Sequence, residues 1–472
     1  MNKRRINALV LIGLLIALTC SAMAYSKSHV VGSTGIGVIN PGGGVVSVSG
    51  QLTQDKVFYQ GDGTVSLALT LQANELESQV IVNEKNVDMV VVLDRSGSMQ
   101  GNKIDDAKQA VLDLIGNLSP HDRFALVSYA NEVTVHTQLM SAKDGNKEYF
   151  ASAVRNIYAG GGTNLGGGLQ LGIDLMIQAG TSCNAGRVIL ISDGLANVGV
   201  TDPVKLGEMA RAAVSKEIVV STVGIGNDFN EVLMTSLADH GTGNYYYLDE
   251  PGRFAEVFMR EFQRSRTAAA TAVEVRVPLA DGVSLINAAG FPIETRSNVA
   301  VFRPGNLLPG QSRKIFLTFN LPTNREQTFA LGNIAVGYRH QGRNQLARLD
   351  DIFTIACVRN QAEVFASIDK SEWEEKVVQE DFNQLREEVA DAVKSGKKDE
   401  ALTRIRQYKA EKKELNSIVG SAKVAANLEQ DLGQLSDSVN QTFAGAPSAV
   451  IIKQKEVAKE MQYKSYESRR NK

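Results

Sequence analysis

The order of hydrophobic and polar positions divides the chain into blocks with different predicted structure. From Asn86 onward, uninterrupted aliphatic runs alternate with amphipathic stretches such as "KIDDAKQAVLDLIGNL". The aliphatic runs predict buried strands at positions 87–93, 124–129, 188–192, 218–225 and 245–248, and the last amphipathic stretch ends near residue 266. Continuous aliphatic strands separated by helices predict an α/β domain with a doubly wound, mostly parallel sheet covered on both faces.

Strands with period-two alternation flank this block on both sides. Before it, "TVSLALTLQA" places Val65, Leu67, Leu69 and Leu71 on one face of a strand. After it come "AVEVRVPL", "KIFLTFNLP", "NIAVGYRH" and "DDIFTIACV". The first piece offers only about three strands, which are too few to close a core alone. We therefore predict one β-sandwich that contains the α/β domain as an insertion, with two separate β domains as the alternative.

The composition becomes helical after Arg359, with Glu, Lys, Ala, Leu and Gln dominant. The pattern predicts a helical hairpin that turns at Ser395-Gly396. Apolar residues then recur at three-four spacing between positions 415 and 439, which favours packing within a bundle over a long free coiled coil. The segment "AGAPSAV" breaks this pattern, and a polar, basic tail is predicted after it.

The N-terminus has the three parts of an export signal. Lys3, Arg4 and Arg5 form a positive start, an apolar run covers positions 6–18, and Ala-Met-Ala at 22–24 fits a cleavage site. The apolar run is shorter than the roughly 20 residues that a bilayer span needs, so cleavage is favoured over an uncleaved anchor. We expect an exported protein, periplasmic or at the cell surface or outside the cell, with no membrane span after signal cleavage.

The predicted organisation assigns every part of the chain. It comprises a signal peptide (1–24), a flexible lead (25–43), the two parts of the sandwich (44–85 and 269–358), the α/β domain (86–268), a helical hairpin or bundle (359–445) and a basic polar tail (446–472).

Composition excludes several classes of function. The 472 residues include 43% hydrophobic and 22% charged residues, as is usual for a globular protein. A formal net charge of −2 provides no basic field for nucleic acid. The five histidines are scattered, without zinc spacing. After signal removal only Cys183 and Cys357 remain, and both a disulfide between them and two buried free thiols are open alternatives.

The candidate chemistry lies where predicted parallel strands end. In "VVVLDRSGSMQGNK" the first strand runs into Asp94, and Ser96 and Ser98 follow at alternate positions. In "VILISDG" a later strand ends in Asp193, and "YAGGGTNLGGGL" places Thr163 in a glycine-rich loop that opens a helix. Ligands of open parallel sheets bind at the carboxyl ends of the strands, so these five side chains are expected on one rim.

All five side chains offer oxygen, which selects a hard cation: Mg²⁺, or Ca²⁺ or Mn²⁺. Two carboxylates at most neutralise a doubly charged ion, and hydroxyls are weak neutral ligands. Such an ion retains affinity for another carboxylate, so an Asp or Glu on a partner protein is the expected ligand. A helix N-cap for the serines and a simple Asp-Gly turn are the alternatives. Both alternatives are less favoured because Thr163 and Asp193 lie at matching positions at the ends of strands.

The set Asp-x-Ser-x-Ser, Gly-Gly-Thr-Asn and Ser-Asp-Gly resembles the von Willebrand factor type A domain, in which these positions form a metal-ion-dependent adhesion site. The resemblance implies that Ser96 and Ser98 ligate the metal directly and that Thr163 does so in the ligand-engaged form. It implies that Asp94 and Asp193 act directly or through waters. "LISDGLANVG" and the flanking sandwich are similar to the secreted branch with inter-alpha-trypsin inhibitor heavy chains and exported bacterial relatives.

The predicted function is an exported, metal-dependent protein-binding module for adhesion or assembly, without catalytic residues. The alternative is a metal-assisted hydrolase that uses the same cation. The motif loops lack a histidine, and Gly-x-Ser-x-Gly, His-Glu-x-x-His and P-loop patterns are absent from the sequence. A third possibility, a subunit of a metal-chelatase motor, needs a cytosolic ATPase and conflicts with export. The helical region is a candidate surface for a second protein.

Overall fold

A computed structural model describes residues 44–75, 86–143, 145–180, 184–248 and 254–470. The predicted signal peptide and flexible lead lie outside these residues, and so does Cys183. Among the helices in the described ranges, none is both long and apolar enough to cross a membrane.

The elements that the hydrophobic pattern predicts occur in the expected order, together with several strands that it did not predict. The chain begins with β1 (Val46–Leu52), β2 (Lys56–Phe58) and β3 (Thr64–Ala73). The α/β domain contains β4 (Val87–Asp94), α1 (Asn102–Asn117), β5 (Arg123–Tyr129), β6 (Val133–Ser141), α2 (Asn146–Arg155), α3 (Leu165–Gln178), β7 (Ala185–Ser192), α4 (Pro203–Val214), β8 (Ile218–Ile225), α5 (Glu231–His240), β9 (Thr242–Leu248) and α6 (Phe254–Thr267). The later strands are β10 (Thr271–Pro278), β11 (Ser284–Ala288), β12 (Glu294–Arg296), β13 (Val299–Phe302), β14 (Ser312–Asn320), β15 (Thr328–His340) and β16 (Arg343–Val358).

The α/β domain is built on a sheet with strand order β6-β5-β4-β7-β8-β9. All neighbouring pairs are parallel except β5 with β6. One face packs on α1, α2 and α6 through residues such as Ile104, Phe150 and Phe262. The other face packs on α3, α4 and α5, for example through Leu169 and Leu206. The predicted α/β class with a mostly parallel sheet is confirmed.

The β-sandwich combines strands from before and after the α/β domain. Its two sheets have the orders β1-β3-β14-β11 and β12-β13-β10-β15-β16-β2. Strand β3 pairs with β14, and β2 pairs in parallel with β16, so both sheets contain strands of both segments. Leu67 and Leu69 of β3 share one buried core with Ile315 and Val336 of the later strands.

The helical region packs around its own hydrophobic core and also against the α/β domain. Its helices are α7 (Gln361–Ala366), α8 (Lys370–Lys376), α9 (Phe382–Lys394), α10 (Lys398–Val419), α11 (Ala422–Ala426), α12 (Leu432–Thr442) and α13 (Pro447–Arg469). The core includes Trp373, Val389, Ile405 and Val439. Helices α9 and α10 form the predicted hairpin, and the turn between them uses a positive φ of 72° at Gly396.

The segment predicted as a basic polar tail, 446–472, is different in the structure. Most of it is helix α13, which buries Met461 and Tyr466. The Tyr466 hydroxyl accepts a hydrogen bond of 2.9 Å from the backbone N–H of Tyr245 in β9. Lysines and glutamates lie between the buried positions of α13. The apolar face of this helix could therefore not be recognised from the sequence.

Cys357 is a buried, free thiol near the C-terminal end of β16. The opposite end of the β15–β16 hairpin approaches the α/β domain through an ion pair between Arg339 and Glu217. These two ends of the hairpin are separated by about 40 Å at the usual rise of a strand. Cys357 therefore lies at the far end of the sandwich from that contact, while Cys183, the other thiol considered for a bridge, lies outside the described residues.

Two helical glycines allow a test of the packing that supports the candidate site. A Cβ atom on Gly172 of α3 would lie 2.5 Å from Cγ2 of Val92 in β4, whereas one on Gly116 of α1 would meet nothing within 4 Å. We expect Gly172→Ala to lower the free energy of unfolding by about 1–3 kcal/mol because the helix must shift. Gly116→Ala should raise it by about 0.5–1 kcal/mol. Urea unfolding monitored by circular dichroism measures both, and equal stabilities would contradict close packing of α3 on β4.

Candidate metal centre

The structure brings the predicted site residues to one edge of the α/β sheet. Asp94 is the last residue of β4, and Asp193 directly follows β7, the neighbouring strand. Ser96 and Ser98 lie in the turn after β4, where Gly97–Met99 forms a short 3₁₀ turn. Thr163 precedes α3 by two residues. Since β4 and β7 are parallel, both carboxylates lie at the carboxyl edge, as the sequence predicts.

Hydrogen bonds connect the two serines to the carboxylates. The hydroxyl oxygens of Ser96 and Ser98 are 3.0 Å apart. The Ser98 hydroxyl donates to Oδ1 of Asp193 at 2.7 Å, and the backbone N–H of Ser96 donates to Oδ1 of Asp94 at 2.8 Å. Residues from two strands thus form one cluster of oxygen atoms.

Thr163 joins this cluster by proximity. A Cβ atom on Gly194 would lie 3.4 Å from Oγ of Ser98 and 3.7 Å from Oγ1 of Thr163, so both hydroxyls approach the same point. The Thr163 backbone is fixed because its N–H donates to Oδ1 of Asn197 at 2.8 Å. The preceding loop position is fixed too, since the N–H of Gly162 donates to Oδ1 of Asn131 at 2.8 Å.

Burial makes Asp94 a carboxylate that is costly to ionise. Its side chain is fully buried, and its Oδ2 accepts a hydrogen bond of 2.9 Å from the Ser192 hydroxyl. Burial raises the pKa of Asp94 to about 6, with a smaller contribution from the charge of Asp193, while the hydrogen bonds from Ser96 and Ser192 oppose the rise. A nearby cation favours the ionised form.

A lysine provides such a positive charge beside Asp193. The Lys103 ammonium, from the first turn of α1, donates to Oδ2 of Asp193 at 2.6 Å. Asp193 is fully buried, whereas the Lys103 side chain is partly exposed. The ammonium therefore neutralises a carboxylate that the sequence assigns to a metal.

Sequence reasoning did not identify Lys103, Ser192, Asn131 or Asn197 as parts of this site. Lys103 follows Ser98 by five residues and Ser192 directly precedes Asp193, but each contacts the carboxylate of the other motif. Asn197 follows Asp193 in the quoted "LISDGLANVG". Proximity to the motifs could have pointed to Lys103, Ser192 and Asn197, but it does not show which group each side chain meets. Asn131 lies near no motif and follows β5 at the same edge of the sheet.

The donor set fits a hard divalent cation. It consists of two buried carboxylates and three hydroxyls, and oxygen donors of this kind suit Mg²⁺, Ca²⁺ or Mn²⁺. Within the described part of the chain, no group of three or more His, Cys, Asp and Glu side chains is arranged to hold a metal. A cation at this edge would therefore depend on the hydroxyls, and the position of the Lys103 ammonium shows that the cluster accommodates a positive charge.

The fold and this cluster define a class of protein: a doubly wound α/β domain with a cluster of carboxylate and hydroxyl oxygens at its carboxyl edge. Residues 88–260 match the family model of the von Willebrand factor type A domain and form such a domain. The resemblance found in the sequence motifs is thus confirmed. Domains of this family are commonly metal-dependent modules of protein interaction.

Curated relatives are similar over different parts of the chain. An uncharacterized Synechocystis protein, sll0103, is 24% identical over 296 residues, 60% of this chain and 68% of the relative. The uncharacterized protein YfbK of Escherichia coli is 30% identical over 192 residues, 40% of this chain and 33% of YfbK. The inter-alpha-trypsin inhibitor heavy chain H4 of Bos taurus is 31% identical over 160 residues, 33% of this chain but only 17% of H4.

Two solved structures share the fold over most of the chain. A von Willebrand factor type A protein from Catenulispora acidiphila has a TM-score of 0.65 at 18% identity, covering 90% of this chain and 98% of that one. The ArnB paralog VWA2 from Sulfolobus acidocaldarius has a TM-score of 0.53 at 18% identity, covering 89% and 99%. At this identity the likeness establishes the fold alone, and it extends beyond the α/β domain.

Proposed function

We propose that this protein is an exported, non-enzymatic binding module that holds a divalent cation, Mg²⁺ in the first instance, at the carboxyl edge of its α/β domain. The ligands are the predicted set Asp94, Ser96, Ser98, Thr163 and Asp193. A cation held there offers a position for a carboxylate of a partner protein. The hydrogen-bonded cluster that links both serines to Asp193 is the observation that supports this proposal most directly.

Burial within the cluster supports access from one side. The side chains of Asp94, Ser96, Thr163 and Asp193 are buried, while Ser98 is exposed. A partner group would therefore approach past Ser98. The buried groups are held in place by their own hydrogen bonds. They would coordinate a bound cation from the protein interior and leave its side near Ser98 accessible to a partner.

Exposed apolar side chains in the loops of the same edge favour a protein partner. Leu195, two residues after Asp193, is 57% exposed, and Tyr158, in the loop that leads to Thr163, is 74% exposed. The Lys108 ammonium lies 5.6 Å from the centre of the Tyr158 ring. Interfaces between proteins commonly combine such aromatic and aliphatic contacts with a polar group of fixed position.

Catalysis is less well supported than binding. A metal-assisted hydrolase needs a general base or nucleophile beside the cation. In the described residues, the side-chain hydrogen bonds of the cluster go to serine, aspartate, lysine and backbone groups, and none goes to a histidine. The carboxyl with a raised pKa in this cluster, Asp94, is buried and hydrogen-bonded to Ser96 and Ser192 rather than open to a substrate, so binding is favoured over turnover.

Partner capture should depend on both the cation and Asp193. Immobilised protein is exposed to an envelope extract of its source organism in Mg²⁺, and bound proteins are eluted with EDTA. We expect the eluted partner to be absent from Asp193→Ala columns, because that variant removes a buried carboxylate from the cation. The matched control is Asp113→Ala, which removes an exposed carboxylate of α1 whose Oδ1 accepts a hydrogen bond from Gln109. Equal retention in EDTA would contradict the proposal and indicate another surface.

A further inference from the structure

A small cavity lies at the amino-terminal edge of the α/β sheet, opposite the edge that carries the metal cluster. The first residues of β7 and β9, together with helix α6, form its wall on the side of the α/β domain. The loop between β13 and β14 and the start of β14 form the wall on the side of the sandwich. Arg470, directly after α13, completes the wall, so all three parts of the protein contribute to one cavity of about 50 Å³.

Among the described residues that line this cavity, four are arginines and none is acidic. Arg187 belongs to β7, Arg264 to α6 and Arg313 to β14, and Arg470 follows α13. Four separate segments of the chain thus bring positive charges to the same small volume. Like charges at short range in a protein interior repel each other, so an anion between them would stabilise the arrangement.

Arg187 is a buried guanidinium without a hydrogen bond. Its side chain is 5% exposed, and within the described residues its side-chain nitrogens donate to no acceptor. Its ion-pair partner, Oε2 of Glu261, is 3.9 Å from Nη1. The Glu261 carboxylate already accepts hydrogen bonds from the side chains of Ser221, Asn244 and Tyr246 at 2.6–3.0 Å. Buried donors without acceptors are costly, so a ligand that supplies acceptors would stabilise Arg187.

Two of the other arginines have no acidic partner in the described part of the chain. Arg313 is buried, and its terminal nitrogens donate to backbone oxygens of the preceding loop. Arg264 is partly exposed and makes neither an ion pair nor a side-chain hydrogen bond with any described residue. Arg470, in contrast, pairs with Asp239. The wall therefore carries more positive charge than the neighbouring acids neutralise.

Two side-chain amides add neutral donors to the wall. Oδ1 of Asn306 accepts from the backbone N–H of Ala272 at 3.3 Å, and Oε1 of Gln311 accepts from that of Leu308 at 3.0 Å. The NH₂ groups of both amides donate to no described residue. The buried side-chain atoms of this wall that lack a hydrogen-bond partner are all donors, the Nε atoms of Arg187, Arg313 and Arg470. The cavity is thus suited to a ligand that accepts hydrogen bonds and carries negative charge.

We propose that this cavity binds a doubly charged tetrahedral oxyanion, inorganic phosphate or sulfate. One buried water needs at least about 10–15 Å³ of such volume, so the cavity has room for roughly four oxygen-sized atoms. One tetrahedral oxyanion presents four oxygens, whereas a nucleotide is too large to be enclosed. Guanidinium groups match the oxygens of such anions in geometry and in charge. Water molecules could accept the same hydrogen bonds but would leave the charge of the arginines uncompensated.

The proton affinities of two arginines agree with this assignment. Burial lowers the pKa of Arg313, and the positive charges of Arg470 and Arg264 add to the effect. Burial also lowers the pKa of Arg187, where the charge of Glu261 opposes the effect and that of Arg264 adds to it. Both guanidinium groups are therefore destabilised as cations, and a bound anion would reverse this.

Isothermal titration of the full mature chain with phosphate, and separately with sulfate, tests this proposal. The titrations are carried out in EDTA and at a constant physiological ionic strength set with sodium chloride, where weak pairing at the surface is screened. We expect one saturable site, and the anion that binds more tightly is identified as the ligand. Arg264→Gln should weaken its binding by about tenfold or more, because a charge-assisted hydrogen bond is lost. The variant should fold, since Arg264 is partly exposed and pairs with no described acid.

The matched control is Arg260→Gln, which removes the same charge from α6 one turn earlier. Arg260 pairs with Glu256 and does not line the cavity, so this control should bind the anion as the wild type does. Ser96→Ala with Ser98→Ala should also leave binding unchanged, because the metal cluster is at the opposite edge. If neither anion shows saturable binding, or if Arg264→Gln and Arg260→Gln lose affinity equally, the proposal is wrong. Loss of binding in the serine variant would also overturn it and would assign the anion to the metal edge.

Discussion

Replacing both serines of the candidate metal centre, Ser96→Ala with Ser98→Ala, is expected to weaken Mg²⁺ binding by at least about 100-fold while the fold is retained. The variant removes two of three hydroxyl donors and the hydrogen bond that orients Asp193. The remaining carboxylates cannot fill a six-coordinate shell without additional waters. The fold should persist because both serines lie in a turn beyond the end of β4, outside the sheet.

Calorimetric titration of EDTA-treated protein with Mg²⁺ measures this loss. The matched control is Ser436→Ala with Ser438→Ala, a pair with the same spacing in helix α12, and it should leave the Mg²⁺ affinity unchanged. Circular dichroism establishes that both variants are folded. An undiminished affinity in the Ser96/Ser98 variant would remove these residues from the site and would also contradict the proposed function.

The fold was predictable where one physical requirement dominates the sequence. Strand β4 is buried along its whole length, so every position before Asp94 has to be apolar or paired, and the run is easily recognised. Strand β6 was missed because it lies at the edge of the sheet and contains polar residues such as His136 and Gln138, which interrupt the apolar pattern. The short strands β11, β12 and β13 were missed because three to five residues carry too little alternation to identify a strand.

The candidate site was predictable to the extent that topology fixes it. The carboxyl ends of adjacent parallel strands meet at one edge, and this alone brings Asp94 and Asp193 together. The contact between Lys103 and Asp193 depends on how α1 packs on the sheet, and this packing cannot be predicted from the sequence pattern. That the five oxygen-bearing residues ligate a metal stays a prediction.

Lys103→Met is expected to change stability and metal affinity in opposite directions. In EDTA the variant leaves the buried Asp193 carboxylate without its ammonium partner, so the free energy of unfolding should fall by about 1–3 kcal/mol. With Mg²⁺ present, no ammonium has to leave Asp193 before a cation binds. The Mg²⁺ affinity should therefore rise by about tenfold, as expected when one charge-assisted hydrogen bond no longer competes.

Urea unfolding in EDTA and calorimetric titration with Mg²⁺ measure the two effects on the same samples. Lys108→Met is the matched control, since it lies on the same helix and its ammonium donates to the backbone oxygen of Ile157 at 3.1 Å rather than to an acid. The control removes the same charge near the site, so any general electrostatic gain in Mg²⁺ affinity appears in both variants. If Lys103→Met binds Mg²⁺ no better than Lys108→Met, the ammonium does not compete for Asp193, and the two cations occupy different positions at this edge.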